Sequence, residues 1–261
     1  MTKRAWLKRK WNKGLRRKDP NAGVYFSGRG QGLIDKKLYE TYFNDWREGS
    51  CLECGALDGQ SLSICKFFED RLHWKRYNIE GNPTIFPTLL KNCPTSVNIP
   101  YILSNGEQEV VYFVGNKKYA KLSKVLPVEK GENLIKEYPE KIFRIPCITY
   151  KEFVILCGIT KLDLFVLDVE GHEFEVLDGM EGATVFPEIM CIEEHKELDR
   201  LKERMSRFNY NFEFTSGYNH IFKIRGNETK AASVVKLANT QGSEPCAGNG
   251  IVGSNPSGGT T

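Results

Sequence analysis

The chain has 261 residues, of which 40% are hydrophobic and 27% are charged, so it is long enough for one packed domain and short for two. No apolar run is long enough to cross a bilayer, and no apolar segment follows the basic N-terminus as in a secretory signal, so the sequence predicts a cytoplasmic protein. The formal net charge of +4 is uneven, since residues 1–18 contain nine Lys or Arg and no acid.

Composition divides the chain into three parts. Residues 1–30 are predicted to form a basic, flexible N-terminal arm, which is typical of a solvated extension but also suits a contact with RNA, acidic lipid or a nuclear-import receptor. Residues 227–261 are rich in Gly, Ser, Asn and Thr and are predicted to form a disordered tail. Residues 31–226 remain as the folded domain.

Strand and helix patterns alternate through this domain. In chain order, the predicted elements are a helix over 33–47, a strand over 50–53, a helix over 60–72, a strand over 76–80, a helix from Pro83, strands over 97–103 and 110–114, a polar loop over 115–140 with one helical turn, a strand over 142–148, a helix over 150–157, a strand over 162–167, a helix from Glu173, a strand over 189–192, a helix over 196–208 and a pair of strands over 210–225. The alternation predicts an α/β fold with a parallel-cored sheet and helices on both faces.

The eight cysteines do not indicate a metal cluster. Cys51 and Cys54 form a single C-x-x-C pair, and no second pair stands at the spacing of a zinc site. The remaining thiols are scattered, several of them in apolar segments. We therefore expect buried free thiols.

Two strand ends in the first half of the chain carry candidate cofactor-binding residues. In an α/β sheet, ligands bind beyond the carboxyl ends of the strands. The first strand runs into a turn with two glycines flanked by acids, which suits a ligand with cationic or amino groups, and its candidate residues are Glu53, Gly55, Ala56, Asp58 and Gly59. The second ends at Glu80, where a carboxylate can accept hydrogen bonds from two ribose hydroxyls, with Asn82 just beyond it. Each feature alone also has a purely structural explanation, a tight turn or a helix-terminal acid.

Two later strand ends carry candidates for the reaction itself. Asp168, Glu170, His172 and Glu173 crowd one turn directly after the most apolar strand, and such crowding of like charges indicates a bound proton, cation or substrate. Glu193, Glu194 and His195 follow the next strand. If these strands are neighbours, Asp168 with Glu193 or His195 could also bind a divalent cation.

The ordered set of these segments resembles the FkbM-type S-adenosylmethionine-dependent methyltransferases. Over residues 35–225, three segments match family motifs in the family's order: the glycine turn Glu53–Gly59, the segment Asn78–Pro83, and Leu167–Leu177, which is the most specific. The helix Asp35–Phe43 is similar to the opening helix of one branch of the family. Three places depart from the family pattern: Ile34 stands in place of a usual Gln before Asp35, Ser63-Ile64-Cys65 in place of a usual Ser-Asn-Thr, and Gly81 in place of a proline.

The resemblance implies a Rossmann-like class I methyltransferase fold with a mostly parallel seven-stranded sheet. It implies S-adenosyl-L-methionine as the methyl donor and a hydroxyl of a sugar, glycan or small molecule as the acceptor. By position, the glycine-turn residues would contact the methionine part of the cofactor and Glu80 the ribose, with Asp168 and Glu170 beside them. For the general base that takes the proton of the acceptor, we favour His172, with Asp168 and His195 as alternatives.

Two alternative functions stay open at this stage. RNA ribose 2′-O-methylation uses a Lys-Asp-Lys-Glu set, and Lys36 or Lys37, Asp168, Lys196 and Glu213 occur in that order. A non-catalytic scaffold or trafficking protein that keeps the methyltransferase fold would accommodate the altered Ser63-Ile64-Cys65 segment.

Overall fold

A computed structural model describes residues 33–44, 46, 48–114, 124–126, 128–137 and 142–226. The predicted arm over 1–30, the predicted tail over 227–261 and Cys246 therefore lie outside the described residues. Within the described ranges, no helix combines the length and the hydropathy needed to span a bilayer.

The helices and strands alternate as the sequence predicts. The helices are α1 (Ile34–Leu38), which continues into a π-helical turn (Tyr39–Phe43), α2 (Cys65–Leu72), α3 (Phe86–Asn92), α4 (Val128–Glu137), α5 (Tyr150–Leu156), α6 (Glu173–Asp178) and α7 (Leu198–Arg207). The strands are β1 (Ser50–Cys54), β2 (Lys75–Ile79), β3 (Val97–Ile99), β4 (Ile102–Leu103), β5 (Val110–Val114), β6 (Lys124–Leu126), β7 (Ile142–Ile148), β8 (Leu164–Leu167), β9 (Ile189–Glu193), β10 (Tyr210–Ser216) and β11 (Asn219–Ile224).

A seven-stranded sheet forms the centre of the fold, in the order β10-β11-β9-β8-β1-β2-β3. The pairs from β9 through β8, β1 and β2 to β3 are parallel, whereas β11 is antiparallel to both β9 and β10. The strand order reverses between β1 and β8, so a crevice opens beyond their carboxyl ends. The prediction of a mostly parallel seven-stranded sheet is confirmed.

Helices cover both faces of this sheet because its central strands are apolar on both sides. All four residues of β8 are buried. Along β1, Cys51 packs with α1 and α2 in one hydrophobic cluster, whereas Leu52 and Cys54 pack with α5, α6 and α7 in the other. The C-x-x-C pair therefore belongs to two separate cores, and the prediction of buried free thiols is confirmed for six of the seven described cysteines, Cys157 being only partly buried.

A second, four-stranded sheet in the order β4-β7-β5-β6 corrects part of the prediction. The predicted strand over 97–103 is two strands, because β3 joins the main sheet while β4 pairs with β7 in the second sheet. The stretch predicted as a polar loop over 115–140 contains β6 and the ten-residue helix α4, whereas residues 115–123 and 138–141 lie outside the described residues. Tertiary pairing with β5 stabilises a strand of three residues that is too short to be recognised from its sequence.

Candidate active site

A cavity of about 300 Å³ opens at the carboxyl ends of β1, β2, β8 and β9, at the position where the strand order reverses. Of the predicted site residues, ten line it: Glu53, Gly55, Ala56, Glu80, Asn82, Asp168, Glu170, His172, Glu193 and His195. Asp58 and Gly59 do not line it. The volume lies at the lower end of the range for small-molecule sites.

The end of β1 is held by a buried ion pair between Glu53 and Arg76. Glu53 Oε2 accepts hydrogen bonds from Arg76 Nη2 at 2.5 Å and from the Ser63 hydroxyl at 2.6 Å, and its Oε1 accepts from the backbone N–H of Ile64 at 2.7 Å. The carboxylate thus accepts hydrogen bonds from N–H groups at the start of α2 that have no partner within the helix, and a negative charge is favoured there. Arg76 also donates to the carbonyl of Gly59 at 3.0 Å, so one guanidinium ties β2 to the glycine turn.

The glycine turn has little room for any side chain. Gly55 has φ +85°, and a Cβ there would lie 1.8 Å from the carbonyl oxygen of Asp168, so only glycine lets the ends of β1 and β8 approach this closely. Gly59 has φ +73° and packs against Cys93 and Leu89. Asp58 accepts two backbone hydrogen bonds and the Ser61 hydroxyl, so its described contacts stabilise the turn itself.

Glu80 faces the cavity without a cationic partner among its described contacts. It is 7% exposed, and its two oxygens accept one backbone N–H each, from Leu57 at 2.8 Å and from Asn82 at 2.6 Å. Burial raises the pKa of Glu80 to about 7, although the two backbone hydrogen bonds oppose this shift. Because a carboxylate offers about four lone-pair sites, both oxygens can accept a further hydrogen bond from a ligand.

The loop after β8 is held in shape by Glu173. This buried side chain accepts hydrogen bonds from the N–H groups of Val169 at 3.2 Å and Gly171 at 3.1 Å. The backbone N–H of Asp168 donates to the carbonyl of Cys54 at 3.1 Å, which continues the pairing of β8 with β1. Glu170 is exposed, with a left-handed φ of +55° that is uncommon outside glycine. Glu173 thus shapes the loop, and Asp168 and Glu170 remain at the cavity.

His172 is a largely buried imidazole at the start of α6. Its Nε2 lies 3.1 Å from the Ser104 hydroxyl, and its Nδ1 lies 3.5 Å from Glu175 Oε2. Burial lowers the pKa of His172 below its ordinary value, while the nearby Glu175 opposes the shift. The ring is therefore mainly neutral at pH 7 and able to accept a proton.

At the end of β9, His195 contacts the carboxylate of Glu193 at 3.3 Å and packs against Tyr218, with 4.1 Å between ring centroids and an angle of 42° between the ring planes. Tyr218 is 58% exposed at the β10–β11 turn and lines the cavity. In the described part of the chain, no group of three or more His, Cys, Asp or Glu side chains is arranged to hold a metal ion. The candidate ligand set of Asp168, Glu193 and His195 is thus not brought together as a metal centre.

The Lys-Asp-Lys-Glu set considered for RNA methylation does not converge either. Only Asp168 lines the cavity. Lys37 lies over the ring of Phe214, and Glu213 accepts a hydrogen bond from Tyr42 at 3.0 Å. The set therefore does not form a common centre in this fold.

The sequence did not indicate several residues that matter to the site. Arg76 and Ser104 contact predicted site residues, and Tyr218 and the second sheet line the cavity, the sheet through Ile102, Phe113 and Val125. An arginine in a buried strand is a signal that could have been noticed, because such a charge needs a partner. The others depend on contacts between segments that are far apart in the chain.

The sheet order, the glycine turn and the cavity at the strand ends define a Rossmann-like methyltransferase domain. A family model described as the methyltransferase FkbM domain matches residues 53–214, which is more than half of the chain. The chain therefore belongs to the FkbM methyltransferase family and is an S-adenosylmethionine-dependent methyltransferase. No curated protein matches its sequence.

Solved structures similar to the chain are remote. They include a methyltransferase FkbM from Methylobacillus flagellatus KT, with a TM-score of 0.41 and 12% identity over 82% of this chain and 60% of that one. A TehB-like S-adenosylmethionine-dependent methyltransferase from Corynebacterium glutamicum has a TM-score of 0.40 and 11% identity over 83% and 97% of the two chains. Aeropyrum pernix fibrillarin, solved with natively bound S-adenosyl-L-methionine, has a TM-score of 0.38 and 11% identity over 73% and 72%.

Proposed function

We propose that this protein transfers the methyl group of S-adenosylmethionine to a hydroxyl of a sugar, glycan or small molecule. The observation that carries the proposal is one shared cavity, which is lined both by the buried carboxylate of Glu80 and by the neutral imidazole of His172. The Glu80 carboxylate is suited to bind hydroxyls of the cofactor, and the His172 imidazole is suited to take the proton of an acceptor.

The residues at the strand ends fit the cofactor. Both oxygens of Glu80 can accept a hydroxyl hydrogen bond, which is what a ribose diol offers. The close approach at Gly55 leaves backbone rather than side chain along the ends of β1 and β8. We assign Glu80 to the ribose, and Gly55, Ala56, Asp168 and Glu170 to the methionine part. When bound, S-adenosylmethionine supplies an electrophilic methyl group on a positively charged sulfur.

Three of the predicted cofactor residues contribute indirectly in this proposal. Glu53 is already bonded to Arg76, Ser63 and Ile64, so we assign it to holding the turn in place. Asp58 and Gly59 act on the same turn from outside the cavity. Asn82 holds the Glu80 carboxylate through its backbone N–H and is itself one of the residues that line the cavity.

For proton transfer, we assign His172 as the general base. Burial lowers the pKa of His172 below its ordinary value, which favours the unprotonated ring that a general base needs, and positioned proton transfer contributes roughly 10²–10⁴-fold to the rate. His195 is the alternative, but it is 48% exposed and is in contact with Glu193. Asp168 is the third candidate.

At the acceptor end, Ile102, Phe113, Val125 and Tyr218 give the cavity apolar and aromatic surface. Aromatic rings and nearby carboxylates suit a polyol or other neutral small molecule, since carboxylates repel a phosphodiester backbone. RNA remains the alternative acceptor, through the basic arm outside the described residues.

The scaffold alternative depends on the altered segment Ser63-Ile64-Cys65. Its contact with Glu53 is made by the Ser63 hydroxyl and by the N–H groups of Ile64 and Cys65. Backbone groups do not depend on side-chain identity, so the substitutions are compatible with an intact turn. This favours the catalytic proposal.

The first test is calorimetry of the full chain with S-adenosylmethionine, followed by a methyl-transfer screen over glycans, small-molecule polyols and capped RNA. We expect cofactor binding and transfer to a hydroxyl of the first two classes. On a verified acceptor, His172→Ala should lower kcat by roughly 10²–10⁴-fold and leave cofactor affinity nearly unchanged. Wild-type turnover by this variant would reject His172 as the base, and the absence of binding at millimolar cofactor would favour the scaffold.

A further inference from the structure

Two side chains from different parts of the fold approach opposite edges of the His172 ring. Ser104 follows β4 of the second sheet, and its hydroxyl lies 3.1 Å from Nε2. Glu175 lies on α6, and its carboxylate lies 3.5 Å from Nδ1. Both ring nitrogens therefore have a defined polar neighbour.

The chemistry of the two neighbours selects one tautomer of the ring. A carboxylate only accepts hydrogen bonds and is negatively charged, so Glu175 favours a hydrogen on Nδ1. Nε2 then carries the lone pair. A hydroxyl can donate or accept, so Ser104 adapts to this choice by donating to Nε2.

The backbone that carries the Ser104 hydroxyl is held in place on two sides. Ser104 is 5% exposed, and its backbone N–H donates to the carbonyl of Ile148 at 2.9 Å, which extends the pairing of β4 with β7. A Cβ on Gly179 would lie 2.1 Å from the Ser104 carbonyl oxygen, so the end of α6 packs directly against this backbone. The second sheet and α6, which carries Glu175, thus fix the ring from both sides.

We propose that Ser104 and Glu175 are positioning residues that hold His172 as the Nδ1–H tautomer, with Nε2 as the basic atom of the reaction. The inference rests on the proposed role of His172 as general base. In the reaction, the acceptor hydroxyl displaces the Ser104 hydroxyl from Nε2. The acceptor O–H bond breaks and its proton goes to Nε2, the acceptor oxygen bonds to the methyl carbon, and the sulfur keeps the electron pair of the broken methyl–sulfur bond.

Other titratable groups share the loop or the cavity of His172 and are the same in every variant at Ser104 or Glu175. Asp168 and Glu170 lie on the same loop, Glu173 follows His172 directly, and Glu80 and Glu193 line the cavity from the neighbouring strand ends. Because these carboxylates are unchanged in variants at Ser104 and Glu175, a change in the tautomer or pKa of His172 in such a variant is due to the substituted residue.

The test is ¹⁵N NMR of the histidine rings in the full-length protein, with and without S-adenosylmethionine. The chain has four histidines, and His172→Gln identifies the signals of His172. Near pH 7.5, we expect the wild-type ring to carry its hydrogen on Nδ1. Ser104→Ala should shift the Nε2 resonance and keep the Nδ1–H tautomer, and Ser104→Thr, which retains a hydroxyl, should restore the wild-type resonance.

Glu175→Gln provides the independent arm, since the Glu175 side chain is 44% exposed and glutamine has nearly the same shape, so we expect the fold to be retained. It should mix the two tautomers and lower the pKa of His172 further, because a carboxylate that favours the charged ring has been removed. Glu181→Gln, at an exposed acid just after α6, is the matched control and should change neither.

A wild-type ring with its hydrogen on Nε2 would overturn the proposal. So would a Glu175→Gln spectrum identical to that of Glu181→Gln, or an unchanged Nε2 resonance in Ser104→Ala. These results are separate from the test of the base itself. If His172→Ala kept its turnover while the wild-type His172 ring showed the Nδ1–H tautomer, the positioning by Ser104 and Glu175 would stand and the catalytic role of His172 would fail.

Discussion

Two carboxylates at the ends of neighbouring strands, Glu53 in the last residues of β1 before Gly55 and Glu80 directly after β2, have nearly the same burial and different surroundings. They are 4% and 7% exposed. Glu53 is bonded to the buried Arg76, to a hydroxyl and to the start of α2. Glu80 accepts two backbone N–H groups, and burial raises its pKa to about 7.

The difference assigns the two acids to different tasks. A buried carboxylate that is paired and fully hydrogen-bonded stabilises local structure, and removing its partner leaves an uncompensated charge. A buried carboxylate held by amides alone keeps hydrogen-bonding capacity and a perturbed pKa, which are features of a ligand-binding group. The β1 end is thus the fixed side of the site, and the β2 end is the side available to a ligand.

The largest expected effect is on the fixed side. Arg76→Met should lower the free energy of unfolding by about 3–5 kcal/mol, because Glu53 would remain buried without its partner. Urea unfolding measures the change. Arg207→Met, which breaks an exposed pair with Glu203 on α7, is the control and should cost at most about 1 kcal/mol. Equal effects of the two substitutions would mean that the buried pair does not hold the β1 end.

The glycine turn is the next place to test the comparison. Gly55→Ala should destabilise the fold by roughly 1–3 kcal/mol and weaken cofactor binding more than about tenfold, because the new Cβ collides with the Asp168 carbonyl at φ +85°. Calorimetry and urea unfolding read the two effects. Gly158→Ala, at φ +59° with nothing within 4 Å of the new Cβ, should show only the backbone strain and unchanged cofactor affinity.

The smaller effect lies on the ligand side and depends on pH. If Glu80 binds the ribose in its ionised form, as proposed, affinity for S-adenosylmethionine should rise about tenfold per pH unit as the pH increases toward 7, and then level off. Glu80→Gln should bind more weakly and lose this slope. A wild-type slope retained by the variant would assign the pH dependence to another group.

The same pKa has a consequence for stability in the absence of cofactor. The folded protein holds the Glu80 proton more tightly than the unfolded chain, whose pKa is 4.5. This contribution to stability is therefore complete below pH 4.5 and is lost as the pH rises through about 7.

Much of the fold could be predicted from the sequence where periodic and apolar patterns are strong. The prediction placed β1, β2, β8 and β9, and the turns with acidic side chains that follow them, within a few residues. Buried parallel strands are short apolar runs in the sequence and are therefore easy to recognise. The predicted start of α3 at Pro83 was wrong. The helix begins at Phe86, because the backbone first turns around the buried Asn82. The opening helix was also shorter than predicted and ends as a π-helical turn.

By itself, the sequence determined which chemical groups stand at the strand ends, because residue order along a parallel sheet dictates which turns share an edge. It also determined the family, through motifs in a set order. Only the tertiary structure decided how those groups are used. Arg76 neutralises Glu53 and not Glu80, and Ser104 reaches His172 from a second sheet, because pairing and burial depend on contacts between segments that are distant in the chain.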